Sequence, residues 1–296
     1  MMLLAYAAFT CLDSSAKWLV TSGMSPWTAV CVRYAGHLAI VAALVLPVQG
    51  VRSLSSRSPR LEVLRACLLL GSTLLNFVAI KYLPLTITAT IMFAMPIFIT
   101  VLSVPMLGEA VGLRRWAAVL AGFGGILIVM HPWTGDFHWA MLASLGAALC
   151  ASVYTILTRR LAGVDSTNTQ QLYAALVATL GVLPFAVANW TPPVDALGWM
   201  LFACMGAFGW GGHQLLTAAH RYAPASVLAP FVYTQLIYMT LSSWVVFAQP
   251  PTAWVLAGAP IVAGSGFYIW WRERQLGRAR VEQEEGTACP SRPSRF

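Results

Sequence analysis

The chain repeats itself. Sliding the sequence along itself by 140 residues sets Lys81-Tyr82-Leu83-Pro84 on Arg221-Tyr222-Ala223-Pro224, Ala89 on Ala229, Glu109 on Gln249 and Gly124 on Gly264. A shift of 139 sets Cys11 on Cys150, so the earlier parts of the two units also keep step. A period of this kind constrains the architecture before any single element is assigned, because both copies draw on one structural plan.

Composition says what that plan is made of. Hydrophobic residues are 58% of the chain and charged residues 9%, against about 25% charge in a soluble domain. The sequence is that of an integral membrane protein. Apolar runs fall at 2–20, 26–46, 61–80, 85–107, 115–130, 139–158, 170–188, 196–219, 224–247 and 253–271. Each is close to the ~20 residues a helix needs to cross the hydrocarbon core, and a helix in lipid satisfies its backbone internally. They are too long and too continuously apolar for barrel strands. The expected fold is an all-α membrane protein of ten transmembrane helices. The first run has no basic leader and carries Asp13 and Lys17, so it reads as a permanent helix rather than a signal peptide. A start so abruptly apolar reads as trimmed.

Orientation follows from the cations. With the N-terminus cytoplasmic, every Lys and Arg except Lys17, Arg33 and Lys81 falls near a cytoplasmic helix end or in the tail, as the positive-inside bias requires. The net charge of +8 is therefore an orientation signal and not a nucleic-acid footprint, and both termini are expected inside. Five helices per copy is an odd number, so the second copy enters the membrane from the opposite side. Inverted repeats of this kind enclose a central cavity near the midplane in secondary transporters. The expected units are a first repeat at 1–132, a second at 137–272 and a cytoplasmic tail at 273–296 that is disordered after one extra helical turn.

The pattern Pro84, Ala89, Pro96, then Leu107-Gly108-Glu109, then Arg115, Gly122 and Gly125, together with Arg33 in the second run, resembles the signature of the drug/metabolite transporter superfamily, EamA type, over about residues 2–272. Within it the polar and aromatic positions are similar to those of YddG-like amino-acid exporters. The resemblance implies a bacterial inner-membrane exporter of amino acids, neutral or aromatic, or similar small metabolites. Gln249 stands where the first repeat has Glu109, so any role of that carboxylate belongs to the first copy alone.

The polar residues inside the spans are the candidate substrate site, since ionisable groups in lipid are costly and mark a pathway or an internal pair. Asp13 and Lys17 share a face of the first helix at i,i+4. Two readings stand: a self-neutralising pair pinned by Arg33, or Asp13 and Arg33 meeting the charged ends of cargo, with Asp13 and His213 as proton carriers. On the eighth helix Trp210, His213, Gln214 and Thr217 fall at 0, 3, 4 and 7 and face one way. They line the cavity or form an interhelical seam. Tyr233 and Tyr238 in the ninth helix, which also carries Pro230, join Asn76, Phe77, Met95 and Tyr154 as residues at similar depth. Ala117, Ala121 and Gly125 repeat every four positions and read as a close helix-packing scaffold.

No nucleotide loop, paired catalytic groups, metal set or cofactor motif accompanies these residues, so an enzyme is not expected. The expected partners are the lipid bilayer and a small-molecule substrate, moved by alternating access. Carriers of nucleotide-sugars or drugs, and a non-transporting receptor or scaffold, are the competing readings.

Overall fold

The computed structural model describes residues 1–50, 53, 55–108, 111–161, 164–219, 222 and 228–288. Its elements are α1 (Met2–Thr21), α2 (Pro26–Gln49), α3 (Pro59–Tyr82), α4 (Leu85–Met92), α5 (Met95–Leu107), α6 (Leu113–Met130), α7 (Ala140–Leu161), α8 (Thr167–Ala188), α9 (Ala196–Ala219), a 3-10 turn at Ala229–Val232, α10 (Tyr233–Val245) and α11 (Ala253–Ala288). With α4 and α5 as one broken span, and the 3-10 turn and α10 as another, these make ten spans. No strand occurs among the described residues. Seven of the spans are long and apolar enough to cross a membrane on those grounds alone. The helices α1, α9 and α10, which carry Asp13, His213 and Tyr233, are not among the seven.

Proline and serine set several boundaries. Pro26 and Pro59 each begin a helix directly after a serine, where the missing N–H costs nothing. Pro84 closes the corner between α3 and α4. Pro96 breaks the fourth span: without an N–H it cannot continue the ladder to Met92. The chain responds two and three residues earlier, where the Phe93 amide is shared between the carbonyls of Ala89 and Thr90, both at 3.2 Å, and the Ala94 amide bonds Ile91 at 2.9 Å. In the second repeat a 3-10 turn ends at Val232, one residue before Tyr233, the register mate of Phe93.

The helix pairings carry the duplication. The most extensive are α6 with α11, α3 with α7, α1 with α9 and α2 with α8. Exchanging the two repeats maps α1–α9 onto α7–α3 and maps α2–α8 and α6–α11 onto themselves. This is the contact pattern of two five-helix units related by a pseudo-twofold axis, and five spans per unit make the relation an inversion across the membrane.

The α6–α11 seam differs from the expected one. Ala117 and Ala121 face outward, while Ala118, Gly122 and Gly125 are buried. A Cβ on Gly258 would sit 2.6 Å from the Gly125 carbonyl oxygen, and one on Gly125 would meet Val262 at 2.9 Å. Of the expected triplet, Gly125 lies in the seam, while Ala117 and Ala121 are exposed at its edge beside Pro260 and Gly264. Beyond the tenth span, α11 stays helical to Ala288, longer than the single extra turn expected. Glu109, Arg221 and residues 289–296, with Cys289, lie outside the described residues.

Candidate substrate cavity

Between α1, α3, the broken fourth span and α10 lies a cavity of about 240 Å³. Its walls are apolar and soft, with Met92, Phe93, Met95 and Met239 prominent, and its polar groups are few: Asp13, Asn76, Thr88 and Gln235. A mostly apolar hollow with a few placed polar groups is the usual form of a small-molecule site. Asn76 donates from Nδ2 to Asp13 Oδ1 at 3.2 Å, which orients the carboxylate. In the second repeat the register mate of Asp13 is Ser152, whose hydroxyl donates to the carbonyls of Ala148 at 2.7 Å and Met95 at 3.3 Å. Only the first repeat therefore supplies a carboxylate.

Asp13 and Lys17 do not pair. Lys17, 2% exposed, donates to the Leu83 carbonyl oxygen at 2.6 Å and stands 5.2 Å from the centre of the Phe247 ring. Arg33 is one layer behind the cavity. It donates to the Thr73 hydroxyl at 2.6 Å and lies over the Tyr34 ring at 4.7 Å, with no carboxylate of the described residues within ion-pair distance. Among the described residues the one ion pair is Arg65 with Glu62, at 3.1 Å.

The remaining expected residues disperse. Met95 lines the cavity, and Tyr233 stacks on its wall residue Phe93 with ring centres 5.3 Å apart and 14° between planes. Phe77, 1% exposed, is packed in the apolar cluster with Tyr34 and Ile80. Tyr154 accepts from Arg65 at 3.2 Å near the α3 start. Trp210 packs against Val41, Val45 and Leu172, and its Nε1 is buried without a hydrogen-bond partner. His213 meets Phe9 edge-on at 5.1 Å and stacks at 6.1 Å on His37. Gln214 is half-buried, and the side chain of Thr217 lies outside the described residues, as does that of Pro230. Tyr238 packs with Met2, Tyr6 and Leu228. Thus the stripe on α9 is divided between packing and a histidine pair, while Asp13, Asn76 and Met95 come together at the cavity, with Tyr233 stacked on its wall residue Phe93.

Two features escaped the sequence reading. Phe93 looks like one more apolar residue, although the 140-residue register sets it opposite Tyr233. His37 lies in the second run as an isolated histidine, and its Nε2 is 3.1 Å from Gln171 Oε1. Among the described residues no three His, Cys, Asp or Glu side chains converge as metal ligands.

A bundle of two inverted five-helix repeats, with a sparsely polar hollow beside broken helices, defines a secondary transporter of small metabolites. The chain belongs to the EamA-like transporter family, which it matches over residues 1–131 and 138–271. It is 31% identical over 284 residues to a riboflavin transporter of Vibrio cholerae serotype O1, covering 94% of this chain and 95% of that one. It is 26% identical over 236 residues to an S-adenosylmethionine uptake transporter of Rickettsia prowazekii, covering 79% and 80%. A solved crystal structure, 18% identical, superposes with a TM-score of 0.61 over 93% of this chain and 98% of its own, a likeness of fold alone. The relatives are bacterial, in keeping with a multi-pass protein of the inner membrane.

Proposed function

We propose that this protein carries a flat, nitrogen-rich heteroaromatic metabolite of riboflavin's chemical class into the cell by alternating access, with Asp13, Asn76, Met95 and Tyr233 in contact with the cargo. The observation that carries this reading is end-to-end similarity to a riboflavin transporter, joined to a cavity of aromatic and thioether walls with amide and carboxylate groups at its edge. The second cargo named among the relatives, S-adenosylmethionine, shares one element of that build, a flat nitrogen heterocycle attached to a hydroxylated sugar. The two family matches support repeats at 1–132 and 137–272, and the arginine distribution supports both termini in the cytoplasm.

Export of a neutral or aromatic amino acid is the competing reading. One observation favours it: Asp13 and Arg33 could face the ammonium and carboxylate of a zwitterion from neighbouring layers. Counterflow into proteoliposomes separates the two, using labelled riboflavin, S-adenosylmethionine and a panel of neutral and aromatic amino acids. Saturable riboflavin exchange is expected. Saturable exchange of amino acids without riboflavin would overturn the proposal.

A further inference from the structure

We infer that Phe93 and Tyr233 form a two-sided clamp, and that the flat ring of the cargo is inserted between them; this deepens the reading above and rests on it. The two rings are stacked, 5.3 Å between centres and 14° between planes. Phe93 lines the cavity, and Tyr233 sits between the lining residues Val232 and Gln235. A second aromatic, Phe267, backs Tyr233 at 6.3 Å, and a Cβ on Gly266 would lie 3.0 Å from the tyrosine hydroxyl. The back of Tyr233 is therefore crowded.

The position of the rings in the chain makes the contact more than packing. Phe93 lies at the break between α4 and α5, where its amide is shared between two carbonyls. Tyr233 is the first residue of α10, directly after the 3-10 turn. They are register mates in the two repeats, so each repeat presents one ring from its own discontinuity. A ring accommodated between two others needs their faces about 7 Å apart, twice the ~3.5 Å contact distance of carbon atoms. The stacked pair must open to admit it. Element ends absorb such a change in backbone angles more readily than helix interiors, and here both rings are carried on element ends. Insertion would thus move the fourth and ninth spans apart, coupling recognition of the cargo to the relative movement of the repeats. The amides of Asn76 and Gln235, in the wall of the same cavity, supply donors and acceptors for the polar edge of a heterocycle.

The test is equilibrium binding of riboflavin to purified full-length protein, with flavin fluorescence read in parallel, because a phenol stacked on a flavin quenches its emission. Tyr233→Leu and Phe93→Leu each remove one face and are expected to weaken binding about tenfold or more, the scale of one lost stacking contact on an aromatic ring. Tyr233→Phe keeps the face and removes the phenol, so affinity should stay within about threefold while quenching falls. Lumichrome, the ring without its side chain, should compete and ribitol should not. Should either leucine variant fail to fold, Tyr233→Phe still decides: undiminished quenching overturns the clamp. Riboflavin binding with both folded leucine variants within twofold of wild type rejects the clamp and leaves the cargo reading standing. No binding of riboflavin or lumichrome to the wild type rejects both.

Discussion

The ammonium of Lys17 turns away from Asp13, four residues earlier on its own helix, and donates to the carbonyl oxygen of Leu83 at 2.6 Å. Leu83 follows the last turn of α3 and precedes Pro84, where a cation also meets the negative end of the helix dipole. The charge thereby clasps α1 to the corner between α3 and α4. Lys17→Met keeps the aliphatic stem and leaves a buried carbonyl without its partner. The expected cost is about 1–3 kcal/mol, read as a lower unfolding midpoint in detergent, and an unchanged midpoint would show that the clasp contributes nothing.

Freed of Lys17, Asp13 is held by Asn76 at the cavity wall. Asp13→Asn preserves size and a hydrogen-bonding edge but removes the charge. Thermal stability should change little, while the initial rate of counterflow should fall about tenfold, the worth of a charge-assisted hydrogen bond over a neutral one. Equal rates in the two proteins would remove Asp13 from the transport path.

Trp210 calls for the opposite expectation. Its neighbours are Val41, Val45 and Leu172, on α2 and α8, so its indole fills an interhelical gap. Trp210→Ala should destabilise by about 2–3 kcal/mol, somewhat below the 3–5 of a fully buried tryptophan. Trp210→Phe should transport at the wild-type rate per folded molecule. A specific loss of flux in a stable Trp210→Phe protein would return the residue to the cavity.

The difference between Asp13 and Trp210 shows where the sequence is informative. Span number, repeat and inversion were readable because apolar length and an odd count of helices are properties of the chain alone. Which face of a span meets the cavity was not. In water a helix announces its inner face by contrast between apolar and polar sides; in lipid both sides are apolar, and polar residues serve packing seams as well as sites. Trp210, His213 and Gln214 do share a side of α9, yet what that side meets is decided by α1, α2 and α8. Phe93 was hidden for the same reason, since nothing in its own segment separates a cavity phenylalanine from a lipid-facing one.

Glycine contrasts within α9 test the packing directly. A Cβ on Gly206 would lie 2.6 Å from the Gly36 backbone and 2.9 Å from the His37 amide, whereas one on Gly211 meets nothing within 4 Å. Gly206→Ala must therefore separate α2 from α9, at about 1–3 kcal/mol. Gly211→Ala should be neutral or stabilising by up to about 1 kcal/mol. Melting both variants beside wild type checks the pair, and equal midpoints would refute the close approach.

Outside the spans, Asp165 ties the α7–α8 connection to the α2–α3 connection. Its carboxylate accepts from the Ser56 hydroxyl at 2.6 Å and from the Arg57 amide at 2.9 Å. Slight burial pushes its pKa up, but the Ser56 and Arg57 hydrogen bonds and the Arg57 charge outweigh it and hold the group below the ordinary aspartate value. A carboxyl depressed in the folded state binds fewer protons there than in the unfolded chain. Its contribution is complete above the unfolded value of about 3.9 and is lost as pH falls through the lower folded value. Asp165→Asn removes that dependence and, like the protonated acid, offers one acceptor oxygen where the carboxylate offers two, Oδ2 to Ser56 and Oδ1 to Arg57. The gap in melting temperature between wild type and Asp165→Asn should be widest from pH 5 to 7 and close as pH drops below about 4; a gap that is constant, or grows on acidification, would mean that the charge does not join these two connections.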